Sequence, residues 1–292
     1  MEVYYSAVAE GVLWGIMGLG LYISFRILNF ADLTSEASFT AGAALGVFLI
    51  TQGLHPVLAT LLAILAGIFA GWITGALTTF FEIPGLLSSI ITLTGMYSIN
   101  LRIMEKPNLS LRGFETIYDT ISQWIANGTT QKLVLGLVFV VILVALLGYF
   151  FRTDLGQALI ATGDNEIMAL SLGIKVNQTK RLALMLANGL IALSGALVAQ
   201  SNGFSDISMG SGTVVIAMSA IVIGEVLFRR ELRLSQRLGT VIVGAIIYRL
   251  ILVFVLRLGF NPNDFRLISA TVLAIFLAVP SIQRRLRQRK GI

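Results

Sequence analysis

The sequence predicts an all-α polytopic membrane protein of about nine transmembrane helices, its N-terminus outside and its C-terminus in the cytoplasm. Three observations carry this. Of the 292 residues, 56% are hydrophobic and only 12% charged, with mean hydropathy +0.87; a soluble domain carries roughly 25% charged residues. Apolar stretches of membrane-crossing length recur along the chain. Lys and Arg gather in alternate connections. One hydrophobic body results, a single transmembrane domain over residues 1–292 with no appended soluble domain.

The spans fall near 7–25, 33–51, 56–80, 85–104, 132–151, 181–200, 212–228, 238–257 and 265–281. The N-terminal "MEVYYSAVAE" is acidic and lacks a basic n-region, so the first apolar run is retained as a span. Nine spans put Arg26, Arg152, Lys175, Lys180, Arg181, Arg229, Arg230, Arg233, Arg237, Arg284, Arg285, Arg287, Arg289 and Lys290 on one side. The positive-inside rule makes that side cytoplasmic. The N-terminus, the 105–131 connection, "SNGFSDISMGS" and "LGFNPND" then face outward. Within 105–131, Ile117, Ile121, Trp124 and Ile125 recur at helical spacing and predict a helix lying on the membrane surface.

Glycine is abundant, 29 residues, often four apart: Gly42 and Gly46, Gly67 and Gly71, Gly71 and Gly75. In lipid this spacing lets helix backbones touch, and it implies no phosphate site. The formal net charge of +6 sets topology and implies no nucleic-acid partner. Without Cys there is no disulfide, thiol nucleophile or thiolate metal site. The single histidine, His55, precedes Pro56 in a short outward turn; it reads as an interface residue or as a proton relay. No H-E-x-x-H, no Cys/His cluster and no Ser-His-Asp set is present, so no catalytic or metal-binding residue is assigned. No G-x-x-x-x-G-K-[ST] is present either; if ATP powers this protein, another chain hydrolyses it.

Polar groups enter the apolar region at "ILNFADLTSEASFTAGAAL" (27–45). Asn29, Asp32, Thr34, Ser35, Glu36 and Ser38 cannot all face lipid. Asp32 has the character of an N-cap that starts a new helix at about Leu33. A helix broken near 27–38 would line a solute path, as half-helices do in transporters; a plain cytoplasmic turn fits the same residues. Thr92, Thr94, Asn100, Asn188 and Ser194 are further buried-polar candidates, although intramembrane Ser and Thr commonly bond their own helix. The substrate-path candidates are Asn29, Asp32, Glu36, Thr92, Thr94, Asn100 and Asn188. Arg249 lies within the eighth span and calls for either a function or a partner among Asp32, Glu36, Glu82 and Glu225.

One polar module stands out, "FRTDLGQALIATGDNEIMALSLGIKVNQTKR" (151–181). Asp154 can cap a short helix to about Ala161, Gly163 breaks it, and Asp164 can cap a second, with Glu166 in its first turn. Gly173 is placed to take a positive φ after that second helix. Ile167, Met168 and Leu170 are apolar groups available to a partner's groove.

This module resembles the R-T-x-x-G-x-x-x-x-A-x-G-x-N-x-x-A-A-x-x-x-G-I-x-V segment of ABC-importer permeases of the branched-chain amino acid, ribose and nucleoside type. The matching residues are Arg152, Thr153, Gly156, Ala161, Gly163, Asn165, Ala169, Gly173, Ile174 and Val176. Met168 replaces a second Ala, and Ile223-Gly224-Glu225 replaces a glycine-rich turn common in the family. "ILNFADLTSEASF" and "EIPGLLSSIITLTGMYSI" are similar to the corresponding upstream segments, and the resemblance covers nearly the whole chain.

The resemblance implies a bacterial plasma-membrane complex. Two permease subunits, often identical, form the pathway; a cytoplasmic ATPase dimer holding ATP and Mg binds beneath; an outside solute-binding protein delivers the substrate. This chain itself would bind no cofactor. Residues 151–181 then form the coupling-helix region, with Asp154, Gly156, Gly163, Asp164, Asn165, Ile167, Met168, Leu170 and Gly173 as the ATPase-coupling residues. Within the family the chain is similar to a subgroup assigned to aromatic amino acids such as tryptophan or tyrosine. The path candidates are mostly uncharged, with Phe30, Phe39 and Tyr97 near them in sequence. A polyanion would want convergent Arg and Lys, and a metal would want His or carboxylate clusters. A small zwitterionic or neutral solute remains, an amino acid first and a sugar or nucleoside second. An ion-coupled carrier working alone is the rival from another class.

Overall fold

The computed structural model describes residues 2–228, 232–259 and 264–289. Arg229, Arg230, Lys290 and the 260–263 part of "LGFNPND" lie outside the described residues, as do the side chains of Arg284, Arg285, Arg287 and Arg289. The elements are α1 (Glu2–Tyr22), continued by a π-helical turn (Ile23–Ile27), α2 (Thr34–Thr51), α3 (Pro56–Phe80), α4 (Gly85–Met104), β1 (Asn108–Ser110), α5 (Gly128–Phe150), α6 (Asp154–Asp164), α7 (Glu166–Ser171), α8 (Val176–Asn202), β2 (Phe204–Asp206), α9 (Thr213–Leu227), α10 (Leu234–Arg257) and α11 (Phe265–Arg289).

Among the described residues, six helices are long and apolar enough to cross a membrane: α1 with its π-helical turn, α3, α4, α5, α8 and α10. The expected count of nine is not reached on that criterion, and the shortfall has a physical cause. Helix α2 starts with a polar run, but Thr34, Ser35 and Ser38 are fully buried. It is walled by α3, α4 and α8, so protein and not lipid meets its polar end. Helix α9 has 15 residues, or about 22 Å, against a hydrocarbon core of roughly 30 Å. It is short because the chain before it dips inward: the Gly210 N–H donates to Thr40 Oγ1 at 3.1 Å and the Gly212 N–H to Glu36 Oε1 at 2.8 Å. The described apolar part of α11, Arg266–Ala278, also falls short.

Helix α8 is the hub, packed against α1, α2 and α3. Glycines bring these backbones together. A Cβ on Gly42 would lie 1.9 Å from the Ala192 carbonyl oxygen, one on Gly67 2.1 Å from that of Asn188, and one on Gly71 2.3 Å from that of Leu184. Only a residue without a side chain fits such approaches. His55 caps α3 in its turn: its Nδ1 accepts the Val57 N–H at 3.3 Å, with Pro56 at the first helical position.

The expected surface helix in 105–131 is absent. Residues 108–110 instead pair antiparallel with β2, Asn108 opposite Asp206 and Ser110 opposite Phe204. Between β1 and α5 the chain forms a single 3₁₀ turn, Asp119–Ile121. The Asp119 carboxylate accepts both the Thr116 N–H and hydroxyl at 2.8 Å, a local turn that competes with a helix. Ile117 and Tyr118 point inward instead, the Ile117 N–H to Gln200 Oε1 at 2.9 Å and the Tyr118 hydroxyl to the Leu197 carbonyl at 2.9 Å, while Trp124 is 86% exposed.

Arg249 pairs with none of the four acids expected. Helices α1 and α10 lie side by side, which brings Glu10 to 3.3 Å from its guanidinium and Trp14 beneath it at 4.8 Å. Of those four, Glu225 pairs with Arg26, Glu36 caps the dipping loop, and Asp32 is held by Asn188.

Candidate functional site

The module at 151–175 is built by caps, though not those expected. Thr153, not Asp154, caps α6: its hydroxyl oxygen accepts the Gly156 N–H at 3.3 Å, and Asp154 is the first helical residue. Gly163 does not break α6, which runs past Ala161 through Gly163 to Asp164. The break is at Asn165, extended at φ −157°. Asn165, not Asp164, then caps α7 by accepting the Met168 N–H on Oδ1 at 3.0 Å. An Asn at that joint both closes one helix, its own N–H reaching the Ala161 carbonyl at 3.0 Å, and opens the next. Gly173 takes φ +81°, the positive value expected of it, and the Ile174 N–H returns to the Ala169 carbonyl at 3.0 Å.

The glycines of α6 serve contact instead. A Cβ on Gly156 would lie 2.2 Å from the Phe150 carbonyl oxygen, and one on Gly163 1.7 Å from that of Ile27. Asn29, left-handed at φ +53°, donates from Nδ2 to the Gly163 carbonyl at 2.9 Å. Asn29 thus joins α1 to the module and stands apart from the other path candidates. The same end of α1 is tied to α9 by the Arg26–Glu225 ion pair, and α7 to α8 by Glu166 and Lys180 at 2.6 Å. On α7 only Ala169 is buried; Ile167 (81%), Met168 and Leu170 are exposed.

Deeper, Asp32 is fully buried. Its Oδ1 accepts the Thr34 N–H at 2.9 Å, but Asp32 is not the N-cap expected of it: Leu33 holds that position and α2 starts at Thr34. Its Oδ2 accepts from Asn188 Nδ2 at 2.7 Å, while Asn188 Oδ1 accepts the Ser38 hydroxyl at 2.6 Å. Beside them the hydroxyls of Thr34, Thr74 and Thr92 form a chain with steps of 2.6 and 2.9 Å. Asp32, Asn188 and Thr92 therefore sit in one internally satisfied layer. Thr94 is exposed and bonds the Ile90 carbonyl of its own helix; Ser194 reaches the Leu13 carbonyl at 2.8 Å.

Glu36 and Asn100 come together at a cavity of about 330 Å³ between α2, α4 and residues 207–211, where Thr40, Tyr97, Ser208 and Ser211 complete the polar lining. Tyr97 and Asn100 lie three apart on α4, and Glu36 and Thr40 four apart on α2, spacings that could have pointed to the pairs. Nothing local in the sequence announces that the loop after β2 folds down onto them. That loop is held at its base by Asp206. Burial opposes the Asp206 charge, yet the Ser208 hydroxyl and N–H and the Asn108 amide hold its carboxyl below the usual carboxylate range.

Residues 4–278 match the family described as branched-chain amino acid transport system / permease component. The chain belongs to that family. Among relatives, it is 42% identical over 283 residues to a tyrosine transport system permease protein of Clostridioides difficile, covering 97% of this chain and 93% of that one. It is 28% identical to an autoinducer 2 import system permease protein of Yersinia enterocolitica, over 90% of this chain and 71% of the other. The fold is similar to that of a solved structure described as PsaBC from Streptococcus pneumoniae in complex with Fab, with TM-score 0.53 and 16% identity, covering 98% of this chain and 94% of that one. This permease is thus a multi-pass protein of the bacterial inner membrane and of the ABC-importer type, a non-catalytic component of a transport system.

Proposed function

We propose that this permease carries an amino acid, aromatic by preference, into the cell, driven by a separate ATPase that docks on α6 and α7. The observation that carries the substrate class is the 42% identity, over nearly the full length of both chains, to a tyrosine transport permease. Docking is supported by α7, whose Ile167, Met168 and Leu170 are exposed on an element otherwise anchored by caps, glycine contacts and an ion pair. In this reading α2, α9 and α11 complete nine passes, with α6 and α7 cytoplasmic and the paired β1 and β2 strands outside. Two copies of the permease form the pathway, the ATPase dimer holds ATP and Mg, and a binding protein delivers solute at the β1–β2 side. Glu36 and Asn100 line the path; Asp32, Asn188 and Thr92 hold its wall.

The test is reconstitution of the permease with its ATPase and binding protein in proteoliposomes. ATP-dependent uptake of tyrosine or tryptophan is expected. Leu170→Asp puts a charge into the docking groove and abolishes ATPase co-purification without unfolding the permease. Equal ATPase recovery with wild type and Leu170→Asp sinks the docking site. Tight binding of a sugar by the cognate binding protein, with none for amino acids, replaces the substrate and leaves the importer standing.

A further inference from the structure

Asn100 is 1% exposed, yet its side chain is only half satisfied. Nδ2 donates to the Ala37 carbonyl at 3.2 Å, while Oδ1 has no hydrogen-bond partner. The amide cannot be turned over to cure this, because Ala37 offers an acceptor and would then face Oδ1. A buried acceptor without a donor is costly, and native folds satisfy the great majority of such atoms. Asn100 lines the cavity between α2, α4 and residues 207–211, while Oδ1 itself is buried beneath its wall.

The other wall of that cavity is acceptor-rich too. Glu36 lines it with a carboxylate of which Oε1 already accepts the Gly212 N–H at the start of α9. The Gly210 N–H is consumed by Thr40 Oγ1, and the Thr40 hydroxyl itself donates to the Glu36 carbonyl at 3.2 Å. Arg266, at the start of α11, acts on Glu36 electrostatically and offsets part of its charge. The neutral, fully buried oxygen of Asn100 is then the group with most to gain from a donor. Tyr97, 53% exposed one turn away on α4, gives the cavity an aromatic edge.

We infer that Asn100 Oδ1, with Glu36 lining the same cavity, is an ammonium-accepting subsite of the permease itself, which admits solutes carrying a primary amine beside an apolar or aromatic body. The inference deepens the amino-acid reading above and rests on it. It means that discrimination for the amine is built into the permease and does not belong to the binding protein alone. A cationic donor on an otherwise unsatisfied acceptor gains more than a neutral one, because charge-assisted hydrogen bonds are the stronger kind.

The probes are L-tyrosine, tyramine, which keeps the amine and lacks the carboxylate, and 3-(4-hydroxyphenyl)propanoate, which keeps the carboxylate and lacks the amine. Their binding is measured by calorimetry on the purified permease in nanodiscs, without binding protein. Wild type is expected to bind tyrosine and tyramine and to reject the amine-free acid by roughly tenfold or more. Asn100→Leu is expected to lose that preference. Glu36→Gln retains an amide oxygen to cap Gly212 and guards against a mere folding defect; it is expected to weaken tyramine more than the amine-free acid. Equal binding of the amine-free acid by wild type, an undiminished preference in both variants, or no binding of any probe by wild type overturns the subsite. ATP-dependent tyrosine uptake by the reconstituted wild-type complex is scored separately. Its presence alongside any of those results leaves the importer reading intact, and its absence removes that reading instead.

Discussion

Gly163→Ala adds one methyl where the structure has no room for it. The new Cβ would lie 1.7 Å from the Ile27 carbonyl oxygen, 2.8 Å from its carbon and 3.0 Å from the Leu28 Cα, all backbone atoms. No rotamer change relieves a clash with backbone, so α6 must move off the π-helical end of α1. Overpacking of this kind costs about 1–3 kcal/mol. The same displacement stretches the 2.9 Å bond from Asn29 to the Gly163 carbonyl, about another 0.5–1.5 kcal/mol. Alanine recovers about 1 kcal/mol of helix propensity. The net loss is about 0.5–3.5 kcal/mol, concentrated at one joint. Gly148→Ala is the control: it lies on α5, and its Cβ would meet the Ser235 Cβ at an ordinary 3.6 Å. Thermal unfolding in detergent is expected to drop for Gly163→Ala and to hold or rise for Gly148→Ala. In proteoliposomes, ATP hydrolysed per solute imported should climb for Gly163→Ala alone. If both variants unfold at the wild-type temperature with wild-type coupling, the α1–α6 contact does not hold the module and the reasoning fails.

Asn188→Leu strips the buried Asp32 carboxylate of its amide donor and should cost about 1–3 kcal/mol, seen as loss of a monodisperse peak in size-exclusion chromatography; a wild-type profile would show that Asp32 does not need this partner. Asn165→Ala removes the cap of the six-residue α7, worth about 1 kcal/mol, so ATPase recovery should fall while the global unfolding temperature barely changes. For Asp206 the folded carboxyl titrates below its unfolded value, so its stabilisation is present above the ordinary carboxylate range and is lost as pH falls through the lower, folded value. Hydrogen exchange of the 204–211 amides, corrected for intrinsic rate, should rise in wild type below about pH 4 and stay flat in Asp206→Asn.

The long spans were legible because a bilayer imposes one requirement, some twenty apolar residues, that needs no knowledge of neighbours. The polarity of α2 and the shortness of α9 were not, because α3, α4 and α8 stand in for lipid around the first and a dipping loop replaces the top of the second. The two-helix module could be read from its polar pattern, although the break falls at Asn165 and not at Gly163. Its caps went one residue astray because Thr153 and Asn165 compete with the adjacent Asp154 and Asp164, and only the backbone at φ −157° decides for Asn165. The isoleucine spacing of 117–125 resembled a helix, yet long-range bonds to Gln200 and Leu197 claim that segment. Of the seven path candidates, Glu36 and Asn100 share one cavity; Asn29 and Thr94 are elsewhere, since a sequence shows which residues are polar but not which helix faces meet.

The glycine contacts at Gly42, Gly67 and Gly71 join the backbones of α2, α3 and α8 with no side chains between them. Interfaces of that kind have no slack: a slide of even an ångström drives carbonyl into carbon, so the three helices can only turn together, like a single keel. Helix α4 meets them differently, through hydroxyl pairs such as Thr74 with Thr92 and through Asn100, contacts that can be traded for others as the helix rolls. The 207–212 loop is seated like the glycine contacts: besides two amide bonds to α2, a Cβ on Gly210 would lie 2.0 Å from the Glu36 carbonyl oxygen. The hollow around Asn100 thus has two walls that hold still, α2 and the loop, and one, α4, that can roll, and a solute released there would leave by the side that gives.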